Sequence, residues 1–367
     1  MKRAAACVLL AFSLLAGCGS GSGTSAPDDT RAVLEEDEFA DPGEGDNSDQ
    51  LAATKCSEGQ PVEGRALRVV ATIAPLTSLV GLMAAGTDIE VRGLVPAGAT
   101  IHSYLPTESD IEAIQDADLL ITQGIGLEDA IVELSAPALS ATAGLCEVGT
   151  ASFSKTSQLH SDSYPSANGL SNPHSWLSPT VVMRYLNAIR NALSVRAPGA
   201  IEVIDENYVR ISAQMQAIDT AMKKDTETVP VRSRSIFAHH DAFVYVAREY
   251  GYSYPGAAQK PDMSDPDPLE VVSLAESLGA SNVVAVFPGR EWETTVIDEI
   301  GTVMGVPHTA ALSDEELPGK PGEVGHSIGG MIVGNFVTIV ETLGGTAKAL
   351  RAVSLDLGIR DVATYTG

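Results

Sequence analysis

The segment "AIEVIDENYVRISAQMQAIDTAMKKD", residues 200–225, decides the architecture of this chain because it contains neither proline nor glycine. Its apolar side chains recur at helical spacing, for example at Ile201, Ile204, Ile211 and Met215. At 1.5 Å per residue, a helix of this length runs about 39 Å, which is enough to cross a whole domain. We therefore predict a long, rigid helix that joins the parts of the protein on either side of it.

Strands alternate with helices on both sides of this segment. Before it, "ALRVVATIAPL" (66–76) indicates a buried strand that runs into a helix, and "IEVRGLVP" (89–96) indicates a second strand. After it, "SIFAHH" (235–240) and "NVVAVF" (282–287) indicate strands that lie between helices. Such alternation predicts an α/β fold with mostly parallel sheets. We expect two lobes of this type, joined by the long helix.

The same pattern sets the expected boundaries of the folded parts. The first lobe covers residues 66–198, the linking helix residues 199–228 and the second lobe residues 229–345. Residues 346–367 form a tail to which the sequence assigns no role.

The N-terminal residues differ in composition and do not belong to the lobes. Residues 1–17 begin with Lys2 and Arg3, followed by an apolar run too short to span a bilayer, which is typical of a secretory signal peptide. Residues 18–65 are expected to form an acidic, flexible tether, because they contain too little apolar surface to order themselves. The net charge of −25 argues against nucleic acid and against an anionic membrane surface as electrostatic partners.

The four cysteines are consistent with export. "LAGC", residues 15–18, resembles the lipobox of bacterial lipoproteins, which implies that Cys18 carries a lipid anchor. The alternative is an ordinary signal peptide with a chance cysteine. Cys7 would leave with the signal peptide, so Cys56 and Cys146 remain as an even pair in an exported protein. They are candidates for a disulfide, with two buried thiols as the alternative.

Four short stretches place ligand-type side chains where a strand or loop ends, which is where open α/β sheets build their sites. Two of these stretches precede the long helix and two follow it. Adjacent side chains of an extended segment face opposite ways, so His239 and His240 cannot easily serve the same site. The stretches are "ATIHSYLPTESD" with His102, "NPHSWLSP" with His174, "FAHHDAF" with His239 and His240, and "ALSDEEL" with Asp314.

These stretches resemble the motifs of one family, the cluster A-I (ZnuA/TroA-like) metal-binding solute-binding lipoproteins of bacterial ABC importers. The similarity runs from about Arg68 to Gly345, with the motifs in the family's order. By this resemblance, the metal ligands are His102 and His174 from the first lobe and His240 and Asp314 from the second, with His239 pointing away. The motifs are "PAGATIHSYLP" (96–106), "ADLLITQGIGLED" (117–129), "PHSW" (173–176), "HHDAFVYVAREYG" (239–251) and "LSDEEL" (312–317).

The chain departs from the family pattern in two places. Asn172 stands where the family usually has aspartate, which removes a charge beside the site. The histidine-rich loop of many zinc-binding members is nearly absent, and its remaining His160 either passes metal inward or has no role. Among the other polar residues, Asp241 is expected to cap its helix, and His308 and His326 are expected to lie at the surface.

The donor set favours zinc. Three neutral imidazoles and one carboxylate can complete a tetrahedron around Zn²⁺, and such a closed shell suits holding a metal rather than catalysis. Imidazole-rich sites suit zinc better than manganese, which prefers oxygen donors. The resemblance agrees, because family members specialised for manganese commonly have glutamate at the position of His240. We expect Zn²⁺, with Mn²⁺ as the alternative.

The resemblance implies a protein that captures Zn²⁺ outside the cytoplasm and delivers it to the permease of an ABC importer. We expect a membrane-anchored monomer without enzymatic activity, with a metallochaperone as a further candidate partner. Because the ligands must lose protons to bind, metal affinity should fall as the pH drops through the histidine range. Two other classes stay open: a secreted zinc-dependent hydrolase, whose His-Glu-x-x-His helix is missing here, and a surface adhesion protein stabilised by metal.

Overall fold

The computed structural model describes residues 55–366, apart from residues 136, 141, 153, 166–168, 170, 293–294 and 308. The expected signal peptide, the lipidation site at Cys18 and most of the tether lie outside these residues. Within the described part of the chain, no helix combines the length and apolar character needed to cross a bilayer.

The first lobe, which comprises the described residues before the long helix, is an α/β unit with one sheet. Its elements are β1 (Arg68–Ala71), α1 (Ala74–Met83), β2 (Glu90–Gly93), α2 (Glu108–Gln115), β3 (Leu119–Thr122), α3 (Asp129–Ser135), β4 (Gly144–Glu147), α4 (Val148–Ser152) and α5 (Pro179–Arg196). The strand order is β2-β1-β3-β4, and all three strand pairs are parallel. Strand β3 is buried at every position, which is typical of a parallel sheet covered on both faces.

The second lobe, which comprises the described residues after the long helix, has a parallel arrangement with shorter extended segments. Its helices follow the linking helix α6 (Ile201–Thr226) and are α7 (Val244–Tyr250), α8 (Pro268–Ala280), α9 (Thr295–Met304) and α10 (Ile328–Thr342). The expected strands appear only as extended segments joined by single parallel bridges, such as Ala238 to Phe287 and Gly289 to Leu312. The backbone turns where the Ala242 N–H donates to the His240 carbonyl, so the first of these segments ends there.

Helix α6 confirms the predicted linking helix. It contains 26 residues and buries one apolar face that includes Ile204, Ile211 and Met215. It packs against α5 and α1 of the first lobe and against α10 of the second. Because one continuous helix contacts both lobes, it resists a wide hinge motion and allows only small tilts between them.

Residues 55–65 differ from the expected tether, because they lie against the first lobe. Cys56 is buried and forms a disulfide with Cys146 of β4, with the two Cα atoms 4.5 Å apart. The Val62 N–H donates to the Arg196 carbonyl at 2.8 Å, and the Arg196 guanidinium donates to the Glu58 carbonyl at 2.6 Å. Composition could not predict that these residues are ordered, because their order comes from a covalent bond and long-range hydrogen bonds rather than from local apolar spacing.

The C-terminal tail runs from the second lobe, along α6, to the sheet of the first lobe. Near its start, the N–H groups of Ala349 and Leu350 donate to the Asp225 carboxylate of α6 at 3.0 and 2.8 Å. Near its end, the Thr364 N–H donates to the Val91 carbonyl at 2.9 Å, and the Gly93 N–H donates to the Thr364 carbonyl at the same distance. The tail therefore pairs in parallel with the outer edge of β2.

A proline at position 364 is expected to destabilise the protein where an alanine does not. Thr364→Pro removes the N–H that donates to Val91, and we expect a loss of about 1–3 kcal/mol in the free energy of unfolding. Thr364→Ala keeps both backbone hydrogen bonds and should cost less than about 1 kcal/mol. Urea unfolding of the two variants measures the difference, and equal midpoints would contradict a structural role for this pairing.

Candidate metal centre

Three histidines from distant parts of the chain bring their Nε2 atoms together between the lobes. The His102 and His174 Nε2 atoms are 3.1 Å apart, and the His174 and His240 Nε2 atoms are 3.0 Å apart. Two nitrogens that each lie about 2.1 Å from one ion are themselves about 3.0–3.4 Å apart at angles of 90–109°. Among the described residues, these three form the group of side chains whose ligand atoms lie close enough to share a metal ion.

His174 lies in the turn that precedes α5, and Asn172 orients its ring. The Asn172 amide nitrogen donates to the Asp241 carbonyl at 2.7 Å, so the Asn172 Oδ1 atom faces the imidazole. This oxygen accepts from the His174 backbone N–H and lies 2.9 Å from Nδ1. Because an amide oxygen can only accept, this contact assigns the proton to Nδ1 and leaves a lone pair on Nε2.

His240 is oriented in the same way from within the second lobe. Its Nδ1 lies 2.7 Å from the Gln259 Oε1 atom, while the Gln259 amide nitrogen donates to the Met263 carbonyl at 3.0 Å. The proton is thus assigned to Nδ1 of His240 as well, and its Nε2 lone pair faces that of His174. Two lone pairs at 3.0 Å repel each other, and a cation between them removes the repulsion.

Asp314 adds an oxygen donor beside the histidines. Its side chain is buried, and its Oδ2 atom lies 3.7 Å from Nε2 of His240. Within the described part of the chain, Oδ2 has no hydrogen-bond partner. A buried carboxylate oxygen without a partner is costly unless a cation or a donor meets it. The three imidazoles therefore fit a divalent metal ion, and the Asp314 carboxylate lies beside His240 but outside the group whose ligand atoms all lie within 4.8 Å of one another.

His239 is not part of this cluster, although it is as buried as His240. Its Nε2 lies 2.9 Å from the Asp265 Oδ1 atom, so its ring faces a different carboxylate. The ring of His240 stacks on Trp292, with ring centroids 5.0 Å apart, whereas the ring of His239 meets Trp292 edge-on at 6.0 Å. His240 but not His239 therefore belongs to the histidine cluster.

Other residues depart from the sequence-based expectations. Asp241 does not cap α7, which begins after Phe243 without a side-chain cap; it accepts from the Tyr254 hydroxyl at 2.8 Å. His326 is buried rather than at the surface, because its ring packs against Tyr365 of the tail. His160 is exposed and is not a member of the histidine cluster. His308 lies outside the described residues.

A buried support behind His174 was not predicted. The Gln123 side-chain amide donates to the Pro173 carbonyl at 2.8 Å, and the Gln123 and Gly124 N–H groups donate to the Glu128 carboxylate at 2.7 and 2.9 Å. Burial raises the pKa of Glu128 to about 7. The sequence offered Gly126-Leu127-Glu128 as part of a recognised motif, but it did not show that this turn faces the turn that contains Pro173.

Burial lowers the pKa values of the site's histidines and raises that of its aspartate. It lowers the pKa of His102 to about 3 and holds the pKa of His174 well below its usual value, with the neighbouring histidines acting in the same direction. Burial and then the charge of Glu315 raise the pKa of Asp314 to about 7. Burial also raises the pKa of Glu315 to about 8, so carboxylates rather than imidazoles hold the protons of this site near neutral pH.

Metal affinity is expected to fall as the pH drops through about 7, above the range expected from histidine alone. Below this pH, Asp314 is protonated in the metal-free site, so each bound ion must release one proton and the dissociation constant should rise about tenfold per pH unit. Chelator competition across this range measures the slope. Asp314→Asn should bind weakly, and its affinity should depend less steeply on pH in this range. A wild-type affinity that stays constant until the imidazoles protonate would contradict the assignment.

A comparison with protein families finds one match over most of the chain. A family model described as ZnuA, zinc-uptake complex component A, periplasmic, matches residues 69–341. The match includes all three clustered histidines and Asp314, and it ends before the C-terminal tail.

Individual relatives align with most of this chain, but their names state different metals. The iron-binding protein YfeA of Yersinia pestis is 24% identical over 293 residues, which are 76% of this chain and 87% of that protein. The manganese-binding lipoprotein MntA of Halalkalibacterium halodurans is 26% identical over 264 residues, or 70% of this chain and 84% of that protein. The structure of the periplasmic zinc-binding protein TroA from Treponema pallidum superposes with a TM-score of 0.68 at 22% identity, covering 76% of this chain and 99% of that one.

Proposed function

The chain belongs to the ZnuA family of periplasmic metal-binding components of ABC-type metal uptake, and we propose that its cargo is Zn²⁺, held by His102, His174, His240 and Asp314. The observation that carries this proposal is the pair of facing, unprotonated Nε2 atoms of His174 and His240, 3.0 Å apart, beside the unpartnered oxygen of Asp314. This arrangement gains a cation without any rearrangement of the supporting hydrogen bonds.

The choice of zinc rests on the donor atoms. Three nitrogens and one oxygen match the tetrahedral preference of Zn²⁺ and leave no open position for catalysis. Relatives named for iron and manganese show that the family accommodates other ions. Mn²⁺ is the second candidate, because a second buried carboxylate, that of Glu315, lies 3.6 Å from Nε2 of His102 and could add an oxygen donor.

The proposed setting is the extracytoplasmic face of a membrane. The family acts with the permease and ATPase of an ABC importer, and relatives are named as lipoproteins. We place the lipid anchor of this chain at Cys18 and treat the protein as a monomer that hands its ion to the permease. A metallochaperone is a further candidate partner.

Release of the ion follows from the origin of its ligands. His102 and His174 come from the first lobe, and His240 and Asp314 come from the second, so any relative displacement of the lobes lengthens the metal bonds. Helix α6 packs on both lobes and limits this displacement to small tilts and loop shifts. A permease that binds the displaced arrangement more tightly would therefore lower the metal affinity and release the ion.

Elemental analysis of the mature chain, purified without added metal, tests the identity of the cargo. We expect about one zinc ion per chain, and chelator competition should rank Zn²⁺ above Mn²⁺ and Fe²⁺. A site that retains manganese in the presence of zinc would contradict the proposal. The metal-free protein should remain folded and rebind zinc; unfolding on metal removal would instead favour a structural metal, as in the adhesion alternative.

A further inference from the structure

The loop that carries His102 is held by the opposite lobe. The Glu315 carboxylate accepts a hydrogen bond from the Ile101 N–H through Oε2 at 2.9 Å and from the Thr100 hydroxyl through Oε1 at 3.0 Å. Thr100 and Ile101 directly precede His102 in the first lobe, whereas Glu315 belongs to the second. The Glu315 side chain is only 5% exposed, so water does not compete strongly for these bonds.

A second hydrogen bond joins the first lobe to the segment around Glu315. The Trp176 indole N–H donates to the Asp314 carbonyl at 2.6 Å, and Trp176 lies two residues after His174. Asp314 and Glu315 thus sit between the two histidine-bearing turns of the first lobe. One residue points a free oxygen at the metal centre, and the next one holds the His102 loop.

From this geometry, and on the premise of the proposed function, we propose that Glu315 is a positioning residue for metal capture. Its two carboxylate oxygens each accept one donor from the same loop, which restrains the loop in both translation and rotation. These bonds need no metal, so they set the position of His102 relative to Asp314 before the ion arrives. A loop placed in advance binds the ion more tightly, because less ordering remains to be done on binding.

Glutamine and alanine at position 315 distinguish positioning from ligation. In Glu315→Gln, the amide oxygen accepts from Ile101 and the amide N–H₂ donates to the Thr100 hydroxyl, whose oxygen can accept, so both bonds persist. Glu315→Ala removes both bonds and leaves the Ile101 N–H without a partner. We expect Glu315→Ala to weaken zinc binding by about 10- to 100-fold, and Glu315→Gln to bind close to the wild type.

Glu316 offers a matched control, because it also holds this loop but at a greater distance from the histidine. Its Oε1 accepts from the Gly98 N–H at 2.6 Å, in an exposed position. Glu316→Ala removes the same side-chain atoms as Glu315→Ala and should weaken zinc binding much less. If Glu315→Ala does not fold, Thr100→Val removes the contact from the first lobe, together with the hydroxyl oxygen that accepts from the His102 N–H at 3.4 Å; unchanged zinc affinity in this variant would contradict the positioning role.

Zinc titration of the mature protein and Co²⁺ absorption spectra provide the readouts. Because the absorption bands of Co²⁺ report the coordination geometry, they should be the same in the wild type and in Glu315→Gln. Equal losses in Glu315→Ala and Glu315→Gln, or a changed Co²⁺ spectrum in Glu315→Gln, would make Glu315 a ligand and overturn the positioning role. His174→Ala separates the two proposals. If this variant keeps full zinc affinity, the proposed metal site itself is wrong. If His174→Ala loses zinc affinity while Glu315→Ala and Thr100→Val keep it, only the positioning role of Glu315 is wrong.

Discussion

His240→Ala is expected to weaken zinc binding by at least about 100-fold, whereas His239→Ala should leave the affinity nearly unchanged. Structural zinc sites in zinc-finger peptides bind with about 10–16 kcal/mol at pH 7, so one of four ligands accounts for about 2.5–4 kcal/mol. His240 directs an unprotonated Nε2 at the centre, but the Nε2 of His239 is occupied by Asp265. Isothermal titration of the two variants with Zn²⁺ gives the comparison.

The two variants form a matched pair, because the residues are neighbours and both side chains are buried. Each substitution deletes the same atoms from the same turn, so loss of packing affects both proteins in a similar way. Any difference in zinc affinity then reports the metal contact. If His239→Ala lost the affinity and His240→Ala kept it, the assignment of the two histidines would be reversed.

Loss of the Cys56–Cys146 disulfide is expected to lower the free energy of unfolding by about 2–5 kcal/mol. The bond joins residues separated by 90 positions, so it removes much of the freedom that the unfolded chain would otherwise have. It also ties Cys56 to β4, in a segment where composition alone predicted a flexible tether. Guanidinium unfolding of the double variant Cys56→Ala, Cys146→Ala measures the loss.

Reductant supplies the control for this experiment. It should bring the unfolding midpoint of the wild type down to that of the double variant and leave the double variant unchanged. An unfolding midpoint of the wild type that is insensitive to reductant, in a protein shown to be fully reduced, would mean that the bond adds nothing to stability.

Local patterns in the sequence were sufficient for much of the architecture. Helical spacing without proline or glycine predicted the helix that the structure shows at Ile201–Thr226, because these two residue types are the strongest local helix breakers. The alternation of strands and helices predicted the parallel arrangement of both lobes. The motifs around His102, His174 and His240 singled out the three side chains whose Nε2 atoms converge.

Features that depend on distant residues were beyond these patterns. The strands predicted for the second lobe are extended segments joined by single bridges. The C-terminal tail, to which the sequence assigned no role, pairs with β2. The sequence showed Glu315 only as a neighbour of Asp314, whereas the structure shows it holding the opposite lobe.

The sequence by itself determined the long helix and the α/β class, which follow from local spacing, and pointed to the clustered histidines through motifs that resemble those of a known family. Only the tertiary structure decided which Nε2 lone pairs face each other, which buried carboxylate oxygens lack a hydrogen-bond partner and which groups have shifted pKa values. Proton positions and pKa values depend on burial and on neighbours from other parts of the chain. Those neighbours, such as Gln259 beside His240 and Glu315 beside His102, meet only once the two lobes have packed together.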